Sequence, residues 1–257
     1  MKRGFYTIMS AHFFSSLADN ALFVAAVELL RTSGAPEWQR AALVPMFALF
    51  YVVLAPFVGA FADALPKGRV MFFSNAIKIV GCLMMLFGSH PLIAYAVVGL
   101  GAAAYSPAKY GILTELLPAS QLVKANGWIE GLTIASIILG VLLGGQLVGH
   151  HLSAALLSID IPMIDFGIHT AAEAAIAALI LVYALAAWFN TRIPHTGVEM
   201  RPLRQHPQRS ILASTLALLP DFWACNSRLW RDKLGQISLS TTTLFWGAGG
   251  NLKFIVL

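Results

Sequence analysis

Gly59-Ala60-Phe61-Ala62-Asp63-Ala64-Leu65-Pro66-Lys67-Gly68-Arg69 closes one apolar stretch, residues 41–62, and leads into another, residues 70–88. Each flank has about the 20 residues that a helix needs to cross a hydrocarbon core of about 30 Å. A short basic link between two such flanks reads as a loop that turns a chain around at a membrane surface. On either side of this pair, apolar blocks recur at 6–30, 91–114, 126–149, 166–190 and 234–257, seven in all. The whole 257-residue chain is 58% hydrophobic and 11% charged, whereas soluble domains carry roughly 25% charged residues. These values predict an all-α membrane protein with seven spans. The first block follows Met-Lys-Arg but is long and contains Asp19-Asn20, so it reads as a retained helix and not as a cleaved signal.

The distribution of cations sets the expected orientation, because Lys- and Arg-rich loops remain in the cytoplasm. With the N-terminus inside, that side holds Lys2, Arg3, Lys67, Arg69, Lys109, Lys124, Arg192, Arg201, Arg204, Arg209, Arg228, Arg231 and Lys233; the opposite side holds Arg31 and Arg40. This 13-to-2 bias leaves out Lys78 and Lys253, which fall inside spans. The net charge of +5 is dispersed between apolar blocks, which fits lipid headgroups and argues against a nucleic-acid partner. The expected organisation is a six-helix bundle over 1–190, a cytoplasmic inter-bundle loop over 191–233, and a seventh helix over 234–257. Because the chain stops at Val256-Leu257 inside that last apolar block, a truncated chain is expected.

Asp19 stands near the middle of the first span, where an ionised carboxylate costs about 2.5–3.5 kcal/mol on insertion scales. Such a residue marks either a water-filled substrate or ion pathway, or a polar packing cluster neutralised by a partner. The fourth span ends in Ala104-Tyr105-Ser106-Pro107-Ala108-Lys109-Tyr110-Gly111-Ile112-Leu113-Thr114-Glu115. Pro107 removes a helical hydrogen bond and Gly111 loosens the same turn, so a break is expected there, with Lys109 as a gate or as an interface anchor. Ser16-x-x-Asp19-Asn20 echoes Ser106-x-x-Lys109-Tyr110. In transporters built from inverted three-helix repeats the first and fourth helices are equivalent, and opposite charges at matching places suit a zwitterionic ligand. Direct pairing of Asp19 with Lys109 is not expected, since they sit at different depths.

In the 59–69 loop, Gly59 permits close helix approach, Asp63 can cap a helix, and Lys67 and Arg69 can hold a facing helix end or anionic lipid. Gly140 and Gly144 have the spacing of a helix contact. Glu130 and Glu173 lie inside or near the fifth and sixth spans and read as facing the cavity, as packing residues, or as exposed at the interface. Arg231, just before the seventh block, is a phosphate contact or a surface anchor beside Asp232.

The loop resembles the signature of the major facilitator superfamily, Gly-x-x-x-Asp followed by a basic cluster, with Ala64 and Pro66 departing from the usual residues. Within that superfamily, Ala18-Asp19-Asn20-Ala21-Leu22, the Ala104–Leu113 run, Leu122-Val123-Lys124-Ala125-Asn126-Gly127, Leu229-Trp230-Arg231-Asp232 and Leu244-Phe245-Trp246-Gly247-Ala248 resemble the bacterial lysophospholipid transporter family. That family has twelve spans, so the resemblance implies its N-terminal part. It further implies secondary transport of lysophosphatidylethanolamine and lysophosphatidylglycerol from the outer to the inner leaflet of the bacterial inner membrane. Re-acylation would follow, with an acyltransferase–acyl-carrier-protein synthetase as partner. The residues implied in binding or gating are Asp19, Asn20, Lys109, Tyr110, Glu115 and Arg231, with Gly59, Asp63, Lys67 and Arg69 as the signature loop.

Competing readings are a proton-coupled exporter on the same fold, with Asp19 carrying the proton, and a membrane scaffold or inactive truncated chain. An enzyme is disfavoured, because no nucleophile, base or metal constellation stands out. Cys82 and Cys225 make no disulfide framework, and His150, His151 and His169 lack co-ligands at metal spacing. No phosphate-binding Gly-x-x-x-x-Gly-Lys-Ser/Thr sequence exists, and no cofactor is expected.

Overall fold

A computed structural model describes residues 3–158, 168–198, 200 and 211–256. Lys2, Asp160, Asp165, Arg201, Arg204, Arg209 and Leu257 lie outside the described residues, as do the side chains of Arg3 and Lys253. The elements are α1 (Arg3–Thr32), α2 (Glu37–Val53), α3 (Ala55–Ala64), α4 (Lys67–Leu86), α5 (Pro91–Leu116), α6 (Ala119–Val148), α7 (His150–Leu157), α8 (Ala171–Thr191), α9 (Ile211–Leu216), α10 (Leu218–Arg231) and α11 (Lys233–Val256). Among the described residues, α1, α4, α5, α6 and α8 are long and apolar enough to cross a membrane. The α2–α3 pair, bent by 65°, makes a sixth span if counted as one. These are the expected first six blocks. α11 covers the seventh but is not among the helices that meet that measure within the described residues.

Local signals explain the boundaries. Proline precedes α2, α4 and α6 as Pro36, Pro66 and Pro118, and opens α5 as Pro91. At such sites the missing N–H would have had no intrahelical partner. Glu173, a cavity candidate in the sequence, closes a capping box: its backbone amide donates to Thr170 Oγ1, and its carboxylate accepts from the Thr170 amide. The break expected at Pro107 does not occur, since α5 runs unbroken from Pro91 to Leu116. Buried packing on both sides of Pro107, at Tyr105 and Ala108, holds the helix through that turn. The chain bends instead at Leu54, where Pro56 starts α3. The polarity of 191–233 suggests a loop, yet α9 and α10 form within it.

Small residues let the bundle close. A Cβ at Gly140 would stand 2.7 Å from the Leu17 carbonyl oxygen, and one at Gly144 2.7 Å from that of Ala21, so the pair seats α6 on α1 as its spacing predicts. On α5, a Cβ at Gly101 would stand 2.7 Å from Lys78 Cγ, which makes Gly101 the slot for the lysine stem of α4. Gly59 is different: a Cβ there meets nothing within 4 Å, so the close approach expected of it is absent.

Two apolar clusters form the core. One gathers Phe5, Ile8, Met9, Met71, Ile112 and Ile129; the other gathers Leu22, Ala25, Cys82, Tyr95, Val98 and Tyr183. On α1 the residues between them are His12, Ser15, Ser16 and Asp19; on α4 they are Ser74, Asn75 and Lys78. These follow the spacing of one helix face, i, i+3, i+4 and i+7. The bundle therefore carries a polar layer between two apolar ones.

Candidate functional site

The polar layer is organised around an ion pair that the sequence reading missed. Lys78, 1% exposed, lies 2.8 Å through its Nζ from Asp19 Oδ2 and donates at 2.9 Å to Ser15 Oγ. Ser15 in turn donates to Asn75 Oδ1 at 2.7 Å, and the Tyr183 hydroxyl donates to Asp19 Oδ1 at 2.8 Å. Three helices, α1, α4 and α8, thus meet on one carboxylate. The Lys78 ammonium also stands 5.2 Å from the centroid of Tyr105 and 5.5 Å from that of Tyr183, within the range of cation–π attraction. A carboxylate buried in apolar surroundings is costly unless paired and hydrogen-bonded. Asp19 has both kinds of compensation.

Two donors beside this pair have no partner among the described residues: Asn75 Nδ2 and the Tyr105 hydroxyl are buried and make no hydrogen bond there. Unmet buried donors are uncommon and expensive. Their position beside Lys78 gives the layer spare capacity for an anionic oxygen. On the α6 side, His12 Nε2 lies 2.8 Å from Thr133 Oγ1, and Ser136 donates to Ser16 Oγ at 2.7 Å.

The other expected residues fall into separate places. Asn20 donates to the Ser16 carbonyl oxygen on its own helix, at 2.8 Å, and its Cβ packs at Gly140. Lys109 is buried, with its ammonium 4.5 Å from the ring centroid of Tyr110, whose hydroxyl donates to Glu130 at 2.7 Å. As expected, it is not paired directly with Asp19. Arg231 is exposed at the end of α10, outside the polar layer. Asp232 accepts from the Gly235 amide at 2.8 Å, so it caps α11 and does not pair with Arg231.

The signature loop forms a cluster of its own. Lys67 donates to the Ala62 carbonyl oxygen at 2.8 Å, pairs with Asp63, and lies 3.8 Å from Glu115. Lys67 therefore ties the end of α3 to the start of α4 and the end of α5. Asp63 serves that tie, accepting from Lys67 Nζ, and α4 has as its N-cap Pro66, which makes no side-chain cap bond. Glu115 also accepts from Thr196 at 2.6 Å. Arg69, exposed, has no carboxylate partner among the described residues. No group of three or more His, Cys, Asp or Glu suited to a metal occurs among the described residues.

Comparison with known proteins agrees with this architecture. A protein named Lysophospholipid transporter LplT from Yersinia enterocolitica is 40% identical over 257 residues, which is 100% of this chain and 57% of the relative. Proteins of the same name from Yersinia pestis (strain Pestoides F) and Yersinia pseudotuberculosis (serotype O:3, strain YPIII) are each 39% identical over the same 257 residues, 56% of their length. The chain thus spans a little over half the length of the curated relatives it matches. A family model described as Major Facilitator Superfamily matches residues 8–255, nearly the whole chain. With six spans' worth of apolar helix and the Asp63–Lys67 loop between the second and third, the chain belongs to the Major Facilitator Superfamily.

Proposed function

We propose that the protein moves lysophospholipids between the leaflets of a bacterial inner membrane, with the Asp19–Lys78 pair receiving the headgroup. The observation that carries the reading is the ion pair itself, flanked by the unmet donors of Asn75 and Tyr105. A lysophospholipid has one apolar chain and a polar head with a phosphate. For lysophosphatidylethanolamine, the phosphate would take Lys78, Asn75 Nδ2 and the Tyr105 hydroxyl, while the ammonium would take Asp19. The internal ion pair is then exchanged for two pairs with the substrate, so no charge is left uncompensated inside the membrane. For lysophosphatidylglycerol, which brings no ammonium, Lys78 would be shared between the phosphate and Asp19, with a glycerol hydroxyl donating to Asp19. The acyl chain stays among apolar surfaces, and no covalent step is assigned.

The name shared by the relatives supports this substrate class, because the likeness covers the whole of this chain. The cation bias supports an N-terminus in the cytoplasm, and with it the Asp63–Lys67 loop would lie on that side. Movement from outer to inner leaflet would deliver the substrate to a cytoplasmic acyltransferase–acyl-carrier-protein synthetase. The domain reading, a six-helix bundle over 1–190 joined by 191–233 to a further helix, fits the rocking of one bundle against another. Lys109, at the basic end, then stands on the exit side of the headgroup path.

Uptake of labelled lysophosphatidylethanolamine into spheroplasts that express the protein, against a strain lacking it, tests the assignment. Uptake that depends on the protein and is competed by lysophosphatidylglycerol is expected. Transport of unrelated cationic drugs without lysophospholipid uptake would refute it and favour the exporter reading.

A further inference from the structure

At the basic end of the bundle, outside the polar layer, lies a cavity of about 810 Å³ between the start of α4, the end of α8 and the extended segment that follows α8. Asn190 lines it. This side chain is 1% exposed, and neither Nδ2 nor Oδ1 has a hydrogen-bond partner among the described residues. Burial of a donor and an acceptor together, both unmet, is a large penalty for a fold to retain. Packing does not relieve it: Gly68 brings α4 against the backbone of α8 here, with a Cβ at that position only 3.1 Å from the Asn190 carbonyl oxygen.

The other groups on the cavity wall set its chemistry. Lys67 is consumed by Asp63, Glu115 and the Ala62 carbonyl. Arg69 is left as a cation without a carboxylate partner among the described residues. Phe72 and Phe73, one turn further along the membrane-spanning α4, are exposed apolar rings on the same wall. A guanidinium, a neutral amide and two exposed rings thus share the wall of one cavity.

We infer that this cavity is a second lipid site, which holds the glycerophosphate headgroup of a diacyl membrane phospholipid such as phosphatidylglycerol. Arg69 takes the phosphate through its forked donors. Asn190 gives its Nδ2 to a headgroup oxygen and takes a glycerol hydroxyl proton on Oδ1, satisfying both unmet atoms. Phe72 and Phe73 lie along the first carbons of the acyl chains. Neither Asp19 nor Lys78 lines the cavity, so the inference does not depend on the transported substrate proposed above.

The test uses the 257-residue chain in mild detergent, with thermal unfolding followed while phosphatidylglycerol is added. Phosphatidylglycerol is expected to stabilise the parent protein. Arg69→Ala and Asn190→Leu should each weaken that effect so that about tenfold more lipid is needed, the loss of one charge-assisted or fully buried hydrogen bond. Arg69→Lys should retain part of it. Without lipid, Asn190→Leu should unfold no earlier than the parent, because it removes two unmet polar atoms while keeping size; this separates lost binding from lost folding. Equal stabilisation of the parent and both variants would overturn the proposal. Stabilisation by water-soluble glycerol 3-phosphate but not by phosphatidylglycerol would overturn the lipid assignment in favour of a free phosphate ester.

Discussion

Lys78→Met alone is expected to lower the stability of the folded bundle by about 3 kcal/mol, the low end of the range for removing one partner of a buried ion pair, because the Asp19 side chain keeps 17% exposure. Methionine fills much of the space of the lysine stem beside Gly101, so the loss would not come from a cavity. It would come from Asp19, left with only the Tyr183 hydroxyl as a partner among the described side chains. The measurement can use the protein's own thiols. Cys82 is buried within the apolar cluster next to the pair, whereas Cys225 is exposed. In a Cys225→Ser background, the rate at which a thiol reagent reaches Cys82 reports opening of the bundle. A rate for Lys78→Met equal to that of the parent would show that the ion pair contributes nothing to the fold.

The double variant Asp19→Asn with Lys78→Met separates stability from function. Exchange of a whole buried pair for neutral residues is often neutral or stabilising, so Cys82 should be protected about as well as in the parent. Binding should not recover. Two charge-assisted hydrogen bonds to the headgroup are lost, each worth about 1.5–3 kcal/mol, and affinity for lysophosphatidylethanolamine should fall by about 100-fold or more. A double variant that is both well folded and fully able to bind would make the pair a packing device, the alternative that the position of Asp19 in the sequence left open.

What could be read from the sequence, and what could not, follows from the range of the interactions. The first six apolar blocks were legible because helix length against bilayer thickness is a local property, and α1, α4, α5, α6 and α8 bear this out. Gly140 and Gly144 were legible as packing because their spacing puts both on one face. Asp19 stood out because a carboxylate in an apolar run is conspicuous. Lys78 reads from the sequence only as a cation inside a span, because its partner is 59 positions away and only tertiary packing joins them. A signal was present: Ser15 and Asp19 on one helix and Ser74 and Lys78 on another both have polar groups four residues apart within apolar runs.

Pro107 misled because its missing hydrogen bond is a local fact, whereas the continuity of α5 is set by its buried neighbours. Glu115, a substrate-binding or gating residue in the sequence, is joined to Lys67 and Thr196, partners too far along the chain for local spacing to reveal. Asn190 carried no sequence signal at all, since an asparagine at a helix end is ordinary and only its burial makes it unusual.

The most direct measurement is photolabelling with a lysophosphatidylethanolamine that carries a photoreactive group near its phosphate, followed by mapping of the labelled residues by mass spectrometry. Label is predicted on α1, α4 and α5 around Asp19, Lys78 and Tyr105, and it should be competed by unlabelled lysophospholipid and lost in the Asp19→Asn, Lys78→Met double variant. Competable label that persists undiminished in a folded double variant, or that lies wholly outside the polar layer, would contradict the account.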